Sequence, residues 1–388
     1  MTDTTGEIRP HDSLNDPQDD VDVSVGLKDE NGDRASLSHI ATMRFSDFEN
    51  DMAEAHGPRF VEYRKNFRKS LNYDKNGYLP DFPITVQLEL INRCNLSCVM
   101  CYTVNHTTPK AVLSIDTIKK MMAEAKQYDL PALMVGMGSE SLLYKDMDSL
   151  IDACKEGGVM DFFFATNGVL MNEKVSQMLI DKGVARCWVS LDAASPETFK
   201  KIRGKDELDI IEANIKRLCA MKKEQGSKFP NVRVSFCVQK DNAHEREAFV
   251  EKWRGIVDHI DFQQLTDFEH IDELFEEGDV SQPIDVPPEV DLANPVCQYP
   301  FNSLNVWANG EVTPCCNFFG RKLVMGNANT DSLKDIWHGE KMEGIREEFR
   351  TGNLNPTCRV CLCSRTQENF DDAKQVAAQT NAVSVAAE

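Results

Sequence analysis

No apolar run in this sequence approaches the roughly 18–20 residues that a membrane span requires. No basic segment followed by an apolar one opens it, so no secretory signal is expected. Positive charge is scarce: 43 Lys and Arg stand against 63 Asp and Glu, a formal net charge of −20. Residues 1–40 carry ten acids against three bases, and Asp267 to Asp291 carries ten acids and no base. Such a chain has little attraction for nucleic-acid phosphates or anionic lipid, so neither partner is expected. Internal repeats are absent, and the eight His residues form no ligand-spaced cluster.

Cysteine, by contrast, is plentiful. Thirteen is an odd number in a 388-residue chain, which fits a disulfide scaffold poorly. Clustered cysteines without a secretory signal point to metal binding or catalysis. The expectation is a soluble, cytoplasmic metalloprotein.

Residues 1–43 are acidic and poor in large apolar side chains, which predicts a disordered N-terminus. Residues 44–80 form a helical lead-in, with Phe60, Tyr63 and Phe67 at helical spacing. Residues 81–266 read as a strand–helix alternation. Strands are expected near 84–91, 132–137, 160–165, 186–191, 231–238 and 258–265. The intervening helices are expected near 115–128, 146–156, 172–182, 207–222 and 245–254. Parallel neighbours need such crossovers, so the fold class is α/β with a parallel sheet. Ligands of such sheets bind at the carboxyl ends of the strands. An acidic, proline-containing linker spans 267–294, a second cysteine-rich module 295–367, and a flexible tail 368–388. Within the second module, Asn309-Gly310 between two strand-like runs predicts a hairpin with a type I′ turn.

The most informative feature is Cys94-x3-Cys98-x2-Cys101, directly after the alternating segment Ile84 to Leu90. Iron–sulfur clusters normally take four cysteine ligands. A triplet on one loop leaves the fourth iron open to a small molecule. Zinc is the alternative, but only His106 lies close enough in sequence to complete a structural zinc set. Cys154, Cys187, Cys219 and Cys237 fall in predicted helices and strands and read as core residues. Glu89 and Gln263 have strand parity that permits them to face inward.

The triplet resembles the cluster loop of radical S-adenosylmethionine (SAM) enzymes, and further short matches follow in order. Gly138-Ser139-Glu140 with Ser141-Leu142-Leu143 resembles that family's G-G-E-P-L-L segment. Thr166-Asn167-Gly168 resembles its T-N-G, Ser190-Leu191-Asp192 its S-[IL]-D, and Arg203-Gly204 the end of I-R-G. Each match is weak alone, but five in order are specific. The departures are Met100, where an aromatic residue is common, Ser139 for a glycine and Ser141 for a proline. The resemblance implies a partial (β/α)6 radical SAM barrel in which Cys94, Cys98 and Cys101 hold a 4Fe–4S cluster. It further implies SAM contacts from Gly138, Ser139, Glu140, Thr166, Asn167, Ser190, Asp192 and Arg203. The chemistry it implies is one-electron cleavage of SAM to a 5′-deoxyadenosyl radical, which takes hydrogen from a substrate.

The second module resembles the short form of the SPASM region, called a twitch domain, a β-hairpin plus helices. Its landmarks are C-x-Y-P-F from Cys297, N-G-x-V-T-P-C-C ending at Cys315-Cys316, M-G-N at 325–327, the helix around Leu333 to Trp337, and Cys358-x2-Cys361. Cys297, Cys315, Cys358 and Cys361 are the implied ligands of an auxiliary 4Fe–4S cluster, with Cys316 and Cys363 able to substitute. A zinc ribbon is the alternative there. The resemblance implies an oxidoreductase acting on a small polar molecule, such as a sugar or aminocyclitol, with the auxiliary cluster accepting an electron. A peptide or protein maturase and a non-catalytic zinc-binding interaction protein are the other readings. A reducing donor such as flavodoxin or ferredoxin is the implied protein partner.

Overall fold

The computed structural model describes residues 21–22, 39–105, 110–265, 286 and 290–363. Eleven strands join in one sheet: β1 (Val21–Asp22), β2 (His39–Arg44), β3 (Thr85–Leu88), β4 (Ala132–Val135), β5 (Asp161–Thr166), β6 (Arg186–Ser190), β7 (Asn231–Val238), β8 (His259–Gln264), β9 (Ser303–Val306), β10 (Glu311–Thr313) and β11 (Gly326–Asn327). Their order is β1-β2-β8-β7-β6-β5-β4-β3-β9-β10-β11. Strands β3 to β8 pair in parallel, each with the next. They are the six expected strands of the α/β domain.

Helices cover these strands, so most strand residues are apolar and buried. Val86, Leu88, Leu133, Val135, Phe164, Val189, Val234, Phe236 and Phe262 belong to one continuous core. The helix Ile115–Tyr128 shows the local logic. Ser114 caps it by accepting from the Thr117 amide, and Ile118, Met121, Met122 and Ala125 are its buried apolar side chains. That i, i+3, i+4, i+7 spacing is the core-facing stripe of an amphipathic helix.

Three features depart from the sequence expectations. The N-terminal region is not without structure up to residue 43: β2 lies antiparallel on β8. Met43 is buried and Thr42 Oγ1 donates to Asp261 Oδ1 at 2.7 Å. The acids upstream hide a short strand-forming run that covers the otherwise open edge of β8. The lead-in is divided into three helices, Phe48–His56, Pro58–Leu71 and Tyr73–Asn76, with Gly57-Pro58 ending the first and starting the second. The hairpin turn is also not type I′. Gly310 N donates to Trp307 O at 2.8 Å, and Gly310 has φ of 88° while Asn309 keeps a negative φ. A type I′ turn needs both positive, so this is a longer loop with glycine in the left-handed position.

The auxiliary hairpin is not a separate lobe. Strand β9 pairs in parallel with β3, and β10 and β11 continue the sheet antiparallel. The rest of residues 1–43, His106, nearly all of the 267–294 stretch and the 368–388 tail lie outside the described residues.

Candidate active site

The cysteine triplet leaves the end of β3 on a loop pinned by three main-chain hydrogen bonds. Glu140 N donates to Arg93 O, Ser97 N to Arg203 O, and Val99 N to Ile202 O. Cys94 is exposed, Cys98 buried and Cys101 intermediate. Burial pushes the Cys98 thiol upward, and the neighbouring Cys101 adds to the shift. Arg203 pulls Cys98 the other way, through its charge and a hydrogen bond. Thiols crowded in this way ionise when a cation shares the site. The donor set fits an iron–sulfur cluster with one iron left open. Among the described residues, no three Cys, His, Asp or Glu side chains converge as ligands of a single metal ion do.

The loops after β4, β5 and β6 meet this loop. Gly138, after β4, has φ of 70°. A Cβ there would come within 2.5 Å of the Tyr102 hydroxyl and 3.0 Å of Glu89 Oε1. Ser139 Oγ is buried and has no hydrogen-bond partner among the described residues. Glu140 Oε1 accepts from Leu142 N at 3.0 Å and Thr166 Oγ1 at 2.6 Å, and Oε2 accepts from Asn167 N at 2.7 Å. Burial raises its pKa, although these bonds oppose the rise. Both oxygens of Glu140 thus hold the loops together. Asn167 Nδ2 donates to Asn95 Oδ1 at 2.6 Å and approaches Cys94 Sγ at 3.7 Å. Thr166 is buried beside it, and Ser190 closes β6, half-buried.

Asp192 adopts a left-handed conformation, φ 63°. Its Oδ1 accepts from Cys237 N at 2.7 Å, and its carbonyl accepts from Asn242 Nδ2 at 2.9 Å. Arg203 Nη2 lies 2.6 Å from Asp192 Oδ2, and Nη1 donates to Cys98 Sγ at 3.4 Å. Gln263, by contrast, donates to Asp261, which is paired with Arg233. Seven of the eight residues inferred from the resemblance therefore lie on strand ends or loops at one end of the sheet, and the eighth, Arg203, is the last residue of the helix Pro196–Arg203 and reaches them through Asp192. Asn95 and Asn242, which hold this arrangement, carry no motif and were missed.

In the second module, Cys297, Cys315, Cys358 and Cys361 line one cavity with Phe319 and Ile345. Cys315 is pushed well up by burial and then by the other cysteines. Asn355 Nδ2 donates to Cys358 Sγ at 3.3 Å. Cys316 and Cys363 do not line this cavity. The Cys316 thiol instead bonds with the Tyr299 and Gln87 side chains. Four thiols around one space fit a fully ligated auxiliary cluster.

A polar junction separates the two cysteine sites. Glu89, just past β3, is buried; its Oε2 accepts from Ala308 N at 3.1 Å, and its Oε1 has no hydrogen-bond partner among the described residues. Tyr102 stacks on Phe318 with ring centroids 3.8 Å apart. Arg321 lies over the Trp307 ring at 4.1 Å, with its charge near Glu89. Sequence reasoning singled out Glu89 but missed Arg321 and the ring stack, because no spacing links residues so far apart.

Two family models match the chain: the Radical SAM superfamily over residues 88–252 and the SPASM iron–sulfur cluster-binding domain over residues 297–362. The chain belongs to the radical SAM superfamily and carries a C-terminal SPASM domain. It is an enzyme whose cofactors are SAM, the SAM-site 4Fe–4S cluster and an auxiliary iron–sulfur cluster. It is 25% identical over 312 residues to the tungsten-containing aldehyde ferredoxin oxidoreductase cofactor-modifying protein of Pyrococcus furiosus, covering 71% of this chain and 86% of that one. It is 24% identical over 293 residues to a probable GTP 3′,8-cyclase of Saccharolobus islandicus, covering 68% and 90%. Among solved structures, Streptococcus suis SuiB bound to S-adenosylmethionine matches with a TM-score of 0.53 at 18% identity, over 81% of each chain. AdoMet-bound anSMEcpe matches with a TM-score of 0.53 at 15% identity, over 78% of this chain and 94% of that one. These structures share the fold. No helix among the described residues is long and apolar enough to cross a membrane.

Proposed function

We propose that this enzyme is an oxidoreductase that removes hydrogen from a small polar molecule and passes an electron to the auxiliary cluster. The observation that carries the reading is the junction between the cysteine sites: Glu89 and Arg321 bring opposite charges to it, and Tyr102, Trp307 and Phe318 supply ring faces. Such a set of charged and aromatic groups suits a compact substrate with several polar groups. The curated relatives at 24–25% identity are named for acting on a cofactor and on GTP, which favours a small molecule over a peptide.

When bound at the cluster, SAM supplies the hydrogen-abstracting radical, so the protein's task is to position, shield and conduct. Gly138 and Ser139 offer main chain to SAM, while Thr166, Asn167 and Glu140 hold the adjoining loops in register. Ser190 and Asp192 complete that wall. Cys297, Cys315, Cys358 and Cys361 would hold the auxiliary cluster, from the segments flanking the β9–β10 hairpin and from the helix Pro356–Cys363. Electron supply falls to a donor of flavodoxin or ferredoxin type.

The test is substrate-dependent acceleration of 5′-deoxyadenosine formation by anaerobic holoenzyme. Sugars, aminocyclitols and nucleotides are compared with a peptide library. Acceleration by a small polar compound, with an oxidised product two mass units lighter, supports the reading. Acceleration by peptides alone contradicts it.

A further inference from the structure

Arg203 ends the helix Pro196–Arg203 with its side chain buried. A buried charge persists only when it is paired and hydrogen-bonded. Its two pairings point to different parts of the site: Asp192 beyond β6, and Cys98 on the cluster loop. Main-chain bonds on either side, Ser97 N to Arg203 O and Val99 N to Ile202 O, fix the loop against the helix end. Gly204 has φ of 77°, and a Cβ there would fall 2.7 Å from Ser97 O. Asp192 is itself held by Cys237 N and Asn242. The guanidinium is therefore located by its surroundings before any ligand arrives. Both of its terminal nitrogens are already used by the protein.

The two partners act on Cys98 in opposite senses. A hydrogen bond and a positive charge at a cluster thiolate stabilise the more negative, reduced state, and such bonds are among the determinants of cluster potential. A carboxylate behind the guanidinium cancels part of that field. The pair thus forms a graded device whose strength depends on both members.

We propose that Arg203 is a positioning residue for the cluster held by Cys94, Cys98 and Cys101. Its hydrogen bond orients Cys98 Sγ and raises the cluster's reduction potential, while Asp192 fixes Arg203 and offsets part of its charge. This role differs from the SAM contact implied by the resemblance, and it rests on the assignment of the three cysteines as cluster ligands. The step concerned is the gain of one electron by the cluster, from dithionite in the assay. No bond breaks and no proton moves.

The experiment is an EPR-monitored potentiometric titration of the reconstituted holoenzyme. It follows the reduced-cluster signal that changes when SAM is added, with the titration itself run without SAM. Arg203→Met is expected to lower the midpoint by at least a tenfold change in the reduced-to-oxidised ratio, about 59 mV for one electron. Arg203→Lys, which keeps the charge but loses the fork, is expected to fall between the parent and Arg203→Met. Asp192→Asn is expected to raise the midpoint. If Arg203→Met does not retain iron, the opposite signs of Arg203→Lys and Asp192→Asn decide the matter. Unchanged midpoints, or shifts of one sign, in proteins with full iron content overturn the proposal. Cys98→Ala separates the two levels. Retention of the SAM-responsive signal in that variant removes the ligand assignment and the proposal with it. Its loss there, beside unchanged midpoints in the Arg203 and Asp192 variants, overturns the proposal alone.

Discussion

Glu89 Oε2 accepts a hydrogen bond from the Ala308 amide at 3.1 Å, so a carboxylate at the end of the first barrel strand is held by the auxiliary hairpin. The same two elements pair as neighbouring parallel strands, β3 and β9. The two cysteine sites are therefore fixed to one sheet, with Glu89 between them.

Burial raises the pKa of Glu89, while the Ala308 amide and Arg321 oppose the rise. The native state then holds the proton more tightly than the unfolded chain. Its contribution to stability is full below the ordinary carboxyl pKa of about 4.3 and is lost as pH rises through the raised native value. Glu89→Gln does not titrate and keeps an acceptor for Ala308. Its stability relative to the parent is expected to increase from about pH 4 to pH 7. Urea denaturation across that range checks this, and a pH-independent difference contradicts it.

Glu140→Gln replaces an acceptor oxygen with a donor where three donors converge: Leu142 N, Thr166 Oγ1 and Asn167 N. The expected cost is about 1–3 kcal/mol of stability, with weaker SAM binding because the loops after β4 and β5 separate. Chemical denaturation and equilibrium SAM binding measure the two effects. A variant as stable as the parent refutes the linking role.

Gly138→Ala places a methyl against the Tyr102 hydroxyl and Glu89 in a left-handed conformation. Overpacking of this kind costs about 1–3 kcal/mol. SAM affinity is expected to fall along with the melting temperature, while iron at the auxiliary site is retained. Unaltered SAM affinity contradicts the close approach.

Cys358→Ala is expected to halve the iron content, from about eight to about four atoms per chain, with SAM cleavage retained and substrate turnover impaired. Cys316→Ala is expected to leave iron content unchanged, because its sulfur faces Tyr299 and Gln87 and not the four-cysteine cavity. Iron analysis of both variants decides the ligand set. Loss of iron from Cys316→Ala, with Cys358→Ala intact, reverses it.

Much of this architecture is legible in the sequence because the periodicity is local. The helix Ile115–Tyr128 matches its predicted span, since Ser114 and the i, i+3, i+4 apolar residues lie within one short window. The motif residues fall at strand ends because parallel topology gathers those ends on one face. What escaped depends on distant contacts. Strand β2 is defined by the edge of β8, more than two hundred residues away, and the upstream acids mask it. Tyr102 and Phe318, or Arg321 and Trp307, come together only when β9 joins β3. The Asn309-Gly310 dipeptide marked the turn correctly but not its type, because two more residues enter the loop.

We propose that Cys94, Cys98 and Cys101 hold the cluster at which SAM is cleaved. The most direct test is 5′-deoxyadenosine formation by anaerobically reconstituted enzyme given SAM and dithionite, beside Cys98→Ala. The prediction is product from the parent and none above background from the variant, with auxiliary iron retained in both. Equal product from the two proteins, or none from a parent shown to hold both clusters and bind SAM in the presence of host-cell extract, contradicts it.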